Sequence, residues 1–450
     1  MSMRVASGRV GVHSPLATRH LFPQEDTVSA TSTSFSYRKT ILFGFGFLGI
    51  SVIWPVFNRF IPLFLQAGNP VFEQQLLAEG RELPNVVGFA LAPTLAFFIM
   101  TWDNLINVFV QPWVGARSDL TWNRFGRRKG WILLGAPIAI AGFLAVPYAT
   151  TVAAIALFIL ITNFGMALFR SPTVAWLGDL IDPEHRGRAN GIINLMGGIG
   201  FVIASFVLGG LFDSAGRAAP FIGGAIVLAV ALLVPLLWVK EPEQLAAAPT
   251  SAPTQSVMTS LRQVFNRSDK SGILILLGII CWSTAWEALD TGLSSIAVFG
   301  LGLQPGTAAM LSSVGGVAFI LFALPAGMLG EKYGRGRIVR IGLLGSVLLL
   351  PLAYLIVRGA TTFVVCIAAA GALWSLIGVN ALPLVYDHGE EDKIGAYTGL
   401  YYFSSQTAAI VGPVLGGFLV STIGGDQHRF LFLFSAFWMG LGWLVMRRVR

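Results

Sequence analysis

Five ionisable side chains lie well inside long apolar stretches of this chain, away from their ends: Arg59, Asp103, Arg170, Glu287 and Asp290. A charge at the middle of a membrane-crossing helix costs about 2.5–3.5 kcal/mol on insertion scales, so each of the five requires a partner, water or a task. If all are ionised they sum to −1, two arginines against three acids. One carboxylate is left over, and a buried carboxylate without a partner is cheaper protonated than charged. Binding and release of a hydrogen ion is the chemistry this set suggests, with Glu287 and Asp103 as its candidates.

The neighbours of these groups are polar in a pattern. Asp103, Asn107 and Gln111 are spaced i, i+4, i+8 and fall along one helical stripe, with Asn104 adjoining. Ser283, Glu287, Asp290 and Ser294 share a face of a later stretch. Glu287 is near mid-depth there, and Asp290 lies one turn nearer the outer side. Arg59 is displaced toward that same side in the first stretch, so Arg59 and Asp290 form a candidate outer gate across the chain. Arg170 is displaced toward the inner side. Asn58, Asn163 and Asn380 are candidate ligands for a polar solute or, equally, hydrogen-bonded glue between helices. Trp54, Trp282, Trp286 and Trp374 offer aromatic faces for a sugar ring, with packing as the alternative for each, and Trp282 is assigned to the binding set.

The elements that must position these residues are helices crossing a bilayer. Of 450 residues, 55% are apolar and 12% charged, and mean hydropathy is +0.72. Twelve apolar runs approach the ~20 residues needed to cross hydrocarbon: 40–66, 89–115, 130–149, 151–175, 189–213, 219–239, 272–298, 307–330, 338–357, 361–386, 395–422 and 428–447. None alternates like a barrel strand, so the expected class is an all-α integral membrane protein. Residues 1–39 read as a disordered tail, 40–239 as a first six-helix bundle, 240–270 as a linker and 271–450 as a second bundle with a short basic tail.

Lysine and arginine set the expected orientation. With the N-terminus inside, the inner connections and termini receive 24 basic residues, and the outer ones only Arg81, Arg217, Arg358 and Arg429. Both termini are thus expected in the cytoplasm. The net charge of +8 is thereby topology and not a nucleic-acid footprint. Cys281 and Cys366 fall within spans, which argues against a structural disulfide. The histidines are dispersed without a metal-ligand cluster, and no nucleophile–base pair appears, so an enzyme, a metal and an organic cofactor are not expected. Gly44, Gly46 and Gly49 spell a dinucleotide fingerprint inside the first span, where small-residue packing is the better explanation.

An internal duplication organises the whole. Gly115 and Asp119 precede Arg124-Phe125-Gly126-Arg127-Arg128-Lys129, while Gly327 and Glu331 precede Lys332-Tyr333-Gly334-Arg335-Gly336-Arg337. Gly115 to Gly327 and Asp119 to Glu331 are both 212 apart, whereas Gly126 to Gly334, Gly191 to Gly399 and Gly209 to Gly417 are 208 apart. One four-residue insertion accounts for the change, so the bundle is built from two pseudo-symmetric halves. The duplicates of Asp103, Asn107 and Gln111 are Gly315, Phe319 and Ala323. The polar stripe therefore belongs to one half only.

These motifs resemble the major facilitator superfamily over about residues 38–449. The run Trp102-Asp103-Asn104, Gln111-Pro112, Gly115, Ser118-Asp119, Thr121 and Arg124 to Lys129 is similar to the glycoside–pentoside–hexuronide:cation symporters and the related sucrose–proton symporters. Ala189-Asn190-Gly191, Asn194, Gly197-Gly198 and Thr398-Gly399, Tyr401-Tyr402 are similar to runs in bacterial members of the sucrose branch. The resemblance implies a cavity lined mainly by spans 1, 4, 7 and 10, opening alternately to either side of a bacterial inner membrane. It implies a single-chain carrier of a sugar or glycoside. Asp103 matches the first of two acids at a cation site, but Asn107 stands at the second, which favours a proton over Na⁺. Arg170 and Asp179 fall where sucrose-type symporters carry an Arg and an Asp. The resemblance also implies an inner gate from Gly115, Asp119, Arg124, Gly126, Arg127, Arg128, Gly327, Glu331 and Arg335. Rival readings are a proton-driven exporter of small hydrophobic compounds, a lysolipid symporter and a transport-inactive nutrient sensor.

Overall fold

The structure, a computed structural model, describes residues 35–241, 270–388 and 394–449. Most of the expected N-terminal tail and of the 240–270 linker lies outside these residues. Eleven helices among the described residues are long and apolar enough to cross a bilayer. They are α1 (Tyr37–Gln66), α2 (Pro93–Leu120), α3 (Lys129–Tyr148), α4 (Val152–Leu180), α5 (Arg186–Ala215) and α6 (Ala219–Trp238), followed by α7 (Ser271–Gly300), α8 (Pro305–Tyr333), α9 (Arg335–Ile356), α10 (Ala360–Asp387) and α11 (Tyr397–Thr422). A shorter apolar helix, α12 (Phe430–Met446), completes the expected twelve. Its 17 residues rise about 25 Å, a little under the hydrocarbon thickness. A short helix, Pro70–Ala78, follows α1 and was not foreseen. The described residues from Tyr37 onward form one compact unit.

Local sequence explains the breaks. The narrow gap between the expected spans 130–149 and 151–175 is a 3₁₀ turn, Val146–Tyr148, followed by Thr151, whose side chain accepts the Ala154 N–H at 3.1 Å as an N-cap. The three fingerprint glycines do serve packing: a side chain at Gly44 would strike Met196, at Gly46 Thr173, and at Gly49 Leu228 and Ala231. Each thus admits a different helix, α5, α4 and α6 in turn.

The duplication is visible in the backbone. α2 starts at Pro93 and is interrupted at Thr101; α8 starts at Pro305 and is interrupted at Ser313. Both pairs are 212 residues apart, and each hydroxyl donates to a carbonyl of its own preceding turn, Phe98 or Ala309, at 2.8 Å. In the second half α8 passes directly through Gly334 (φ +91°) into α9. In the first half α2 stops at Leu120 and a tight turn follows, Asn123 and Gly126 exchanging both backbone hydrogen bonds, with Gly126 at φ +114°. This turn is the four-residue insertion. Within each half the helices pack on one another. The halves meet where α1 touches α7 and α8, α2 touches α11, and α5 touches α8.

That meeting is concentrated away from the end bearing Tyr37 and Met446, here the termini side. The contacts of α11 with α2 fall mainly on Pro93–Met100 and much less on Trp102–Leu120. Hydrogen bonds between the halves cluster on this far side. The Asp213 carboxylate of α5 accepts the Gly306 and Thr307 N–H groups at 2.7 and 2.8 Å, capping α8. Its counterpart is Ser421 of α11, which meets the Thr94 N–H and Oγ1 at the start of α2 at 3.3 and 3.0 Å. Asp213 and Ser421 are 208 apart, and Thr94 and Gly306 are 212 apart, so one seal is made twice by pseudo-symmetry. Between these two contacts Gln66 donates to Ser295 Oγ at 2.9 Å and to the Pro62 carbonyl at 2.9 Å. Its Oε1 is left to accept from His428 Nε2 at 2.6 Å. The imidazole is buried among the rings of Phe72, Phe97 and Phe299.

Two outcomes follow from this architecture. Gly126→Ala forces a side chain into a backbone conformation that L-residues rarely adopt and against the Glu241 carboxylate, whereas Gly334→Ala meets only the backbone cost. Thermal unfolding in detergent is expected to show the larger loss for Gly126→Ala, with about 1–3 kcal/mol of backbone strain common to both; equal losses contradict the clash. Burial pushes the His428 imidazole down to about 3, against about 6.5 in water. An opened or unfolded state therefore binds a proton that the sealed state refuses, so the seal holds fully above pH ~6.5 and weakens as pH falls toward 3. The midpoint is expected to drop between pH ~7 and ~5, and less steeply in His428→Gln; identical slopes count against the assignment.

Candidate functional site

Beneath the seal lies a cavity of about 340 Å³. α1 contributes Ser51, Trp54, Pro55, Asn58 and Arg59; α7 contributes Trp286 and Asp290. Phe201 of α5, Gly316 and Phe319 of α8 and Trp374 of α10 complete the wall. The Trp286 and Trp374 rings stack with centroids 4.6 Å apart and planes 2° from parallel. The chamber thus joins flat aromatic surface to a few polar groups, the usual composition of a small-molecule site.

Arg59 and Asp290 close this chamber on the far side. The guanidinium donates to the Asp290 carboxylate at 2.7 Å and to the Asp290 backbone carbonyl at 2.8 Å. The pair joins α1 to α7, and therefore the two halves. Arg170, on α4, lies over the Trp54 ring at 5.8 Å and interacts electrostatically with Asp103 and Tyr402. The electrostatic neighbours of Glu287 include Asp290 and Asp103, both acids. Among the described residues Glu287 has no ion pair or hydrogen bond. The five intramembrane charges therefore sort into one tight couple, Arg59 with Asp290, one looser couple, Arg170 with Asp103, and one solitary acid. Glu287 and Asp103 are both half-buried, and neither is on the wall of the 340 Å³ chamber. One oxygen of Asp103 is buried without a hydrogen-bond partner.

The other candidates separate. Asn58 is on the wall, and Asn104 and Asn107 are half-buried on α2 near Asp103. Trp282 is not at the cavity: it is 1% exposed and packs on Gly278 and near Gly442 of α12. The helical face that carries Trp286 and Asp290 to the chamber turns Trp282, one turn lower, into the dry contact with α12. Asn380 takes the second of its two readings, hydrogen-bonded glue. Its amide donates to the Ala326 and Leu376 carbonyls, both at 3.0 Å, and a side chain at Gly330 would collide with it, so it ties α10 to α8. Asn163 is enclosed within α4's packing, 1% exposed, and neither amide atom finds a partner. Trp54, Trp286 and Trp374 were legible as aromatic candidates; Phe201 and Phe319 were not singled out. Phe319 is the duplicate of Asn107, and Gly315, the duplicate of Asp103, lies where α8 crosses Gly371 of α10.

On the termini side each basic loop binds its own half. Arg128 donates to Ser118 Oγ and Asp119 Oδ1, both at 2.5 Å, and to Asp179 Oδ2 at 2.7 Å. Arg127 donates to the Asp119 carbonyl at 2.5 Å and approaches Asp179 at 3.9 Å. Glu241, at the end of the first half, accepts the N–H groups of Arg127, Arg128 and Lys129. In the second half Arg335 pairs with Asp387. Arg127 and Arg335 are 208 apart, as are Asp179 and Asp387, so one ion pair from loop to fourth helix is duplicated. Arg124 is exposed against the Phe125 ring, and Glu331 is exposed. Gly115 faces Ser171 of α4, and Gly327 faces Val379 of α10. These contacts fasten each loop within one half and do not join the halves.

The sequence profile described as Major Facilitator Superfamily matches residues 83–319 and 275–450. Monocarboxylate transporter 12 of Mus musculus is 24% identical over 71% of this chain and 72% of its own length. Tetracycline resistance protein, class C, of Escherichia coli is 24% identical over 76% of the chain and 81% of its own length. Among solved structures, the nucleoside transporter NupG superposes with a TM-score of 0.68 at 16% identity, covering 91% of this chain and 99% of that one. An auto-inhibited peptide transporter of the POT family gives 0.65 at 13% identity, covering 92% and 97%.

Proposed function

The chain belongs to the Major Facilitator Superfamily, and on that footing we propose that this membrane transporter is a proton-coupled symporter of a neutral sugar or glycoside. The observation that carries the proposal is the charge arrangement: two arginines answer two of three acids, and Glu287 stands without a partner among the described residues, next to Asp290 and Asp103. A third negative charge there is repelled by the other two, so a proton is the simplest way to neutralise it. The stacked Trp286 and Trp374, with Asn58 and the outer edge of the Asp290–Arg59 pair, suit a solute with an apolar ring face and hydroxyls at its rim.

The 24-to-4 distribution of basic residues favours a cytoplasmic termini side, which makes the structure inward-facing. In this reading the outer seal opens, solute and proton enter, and Glu287 becomes neutral before the charge cluster is closed off. Neutralising it lowers the cost of the occluded state and so shifts the population toward closure. Arg59 and Asp290 then re-form the outer gate while the inner loops part. In the outward-facing state those loops meet across the halves through Asp119, Glu331 and their basic neighbours. One chain holds the whole cavity, so a monomer suffices in the plasma membrane.

A second reading has a specific support. Five of the eleven wall residues are aromatic, and tetracycline resistance proteins are among the relatives, which suits export of an apolar compound by exchange with protons. The direction of pH-driven accumulation in proteoliposomes separates the two.

Glu287→Gln and Asp103→Asn are each expected to abolish uptake of a radiolabelled glycoside panel driven by a pH gradient, a loss of at least about tenfold, while exchange from preloaded vesicles survives. Undiminished gradient-driven uptake in both variants removes the coupling assignment. For the gate, Arg59→Cys combined with Asp290→Cys is expected to cross-link in the inward-facing state and to lose the cross-link when the outer side is open. A cross-link independent of state contradicts it.

A further inference from the structure

The far-side connections hold only four basic residues, Arg81, Arg217, Arg358 and Arg429. Arg217 lies over the Phe64 ring at 4.2 Å. The other three, which are remote from one another in sequence, converge on the wall of a second cavity of about 240 Å³. Arg81 comes from the connection between α1 and α2, Arg358 from that between α9 and α10, and Arg429 from that between α11 and α12.

The guanidinium groups are held in place by neutral partners more than by acids. Arg81 donates to the Leu301 carbonyl at 2.7 Å and to the Arg358 carbonyl at 3.0 Å, and its Nε reaches Glu79 at 2.9 Å. Arg358 donates to the Tyr354 and Val357 carbonyls at 3.2 and 3.1 Å. Arg429 donates to Gln427 Oε1 at 3.0 Å and lies over the Tyr354 ring at 5.3 Å. Among the described residues neither Arg358 nor Arg429 has an acidic partner. The cavity wall therefore carries three guanidinium groups against the one carboxylate of Glu79, and His428, also on the wall, is held neutral by its burial. Like charges gathered around one hollow raise its potential and concentrate anions there.

Size and donor geometry narrow the ligand. A volume of about 240 Å³ is below the usual range for drug-sized ligands, and planar guanidinium forks match the oxygens of carboxylate and phosphate. We propose that this cavity binds a small oxyanion, of phosphate or carboxylate type, and that its occupancy favours the conformation sealed on the far side. The second clause follows from where the residues sit: Arg81 and Glu79 belong to the first half, Arg358 and Arg429 to the second. An anion bridging them binds the closed seam and loses part of its site when the halves part. That clause rests on the alternating-access reading above; binding itself does not.

The test uses the purified full chain in nanodiscs of zwitterionic lipid, with inorganic phosphate titrated against chloride at matched ionic strength. A saturable rise in the thermal midpoint is expected, and the double variant Arg358→Gln, Arg429→Gln is expected to weaken it at least about tenfold. Gln427→Glu is the second variant, since it keeps the hydrogen bond to Arg429 while adding a negative charge, and it is expected to weaken binding as well. A parallel arm replaces free phosphate with phosphatidylglycerol in the disc; an arginine-dependent rise there identifies the oxyanion as a lipid headgroup. No saturable rise in either arm, or the same rise in both variants, overturns the site. Phosphate is also expected to increase cross-linking of the Arg59→Cys, Asp290→Cys pair at least about twofold over chloride. Saturable binding with unchanged cross-linking leaves the site standing and defeats only the conformational clause, so the two failures are distinguishable.

Discussion

A charge in the hydrocarbon interior must be neutralised by a partner, by water or by a proton, and the helices of this protein are arranged around that requirement. Arg59 meets it by binding both the carboxylate and the carbonyl of Asp290. Because one partner is on α1 and the other on α7, neutralising the charge also fastens the halves. Arg170 and Asp103 are coupled within the first half, where Trp54 covers the guanidinium. Glu287, flanked by acids, has no ion pair or hydrogen bond among the described residues. Under the proposed function Glu287 and Asp103 are the acids that take up the proton, while Arg59 and Asp290 fasten the seam.

The second theme is that one seal and one ion pair are each made twice. Asp213 on the N–H groups of Gly306 and Thr307 answers Ser421 on Thr94; Arg127 near Asp179 answers Arg335 with Asp387. The first set crosses between the halves on the far side, and the second stays within each half on the termini side. In the proposed cycle, contacts across the seam are exchanged as the halves rock, while contacts within a half keep each bundle rigid. The Asp103 stripe, whose duplicates are Gly315, Phe319 and Ala323, is in the proposed function where symmetry has been given up for binding.

Much of this was legible in the sequence. The offsets of 212 and 208 locate the inserted turn at Asn123–Gly126, and the charge count singles out one unpaired acid. The Arg59–Asp290 pair could be drawn from depth alone, since both sit toward the same end of their spans. The far-side pair was present at the same offsets but was missed, because Asp213 and Ser421 differ in type and an identity match does not see them; Arg127 with Asp179 and Arg335 with Asp387 match in type at 208, but which side chains meet is set by the fold. Trp282 and Asn380 show the limit of periodicity. The polar face of α7, Ser283, Glu287, Asp290 and Ser294, does not separate Trp282 from Trp286, which are one turn apart on the helix and look alike in sequence. Their roles depend on whether α12 or α10 packs against them. Asn380 likewise looks like a ligand until Gly330 is seen to leave room for it.

Infrared spectroscopy of the purified protein tests the central claim most directly, because a carboxyl group that gains and loses a proton in a water-poor site has a C=O stretch distinct from those of surface acids. The account predicts that the wild-type protein shows such a band changing with pH, that Glu287→Gln removes it, and that the Arg59–Asp290 pair contributes nothing to it. The same pH-dependent band in Glu287→Gln would contradict the assignment of the solitary acid.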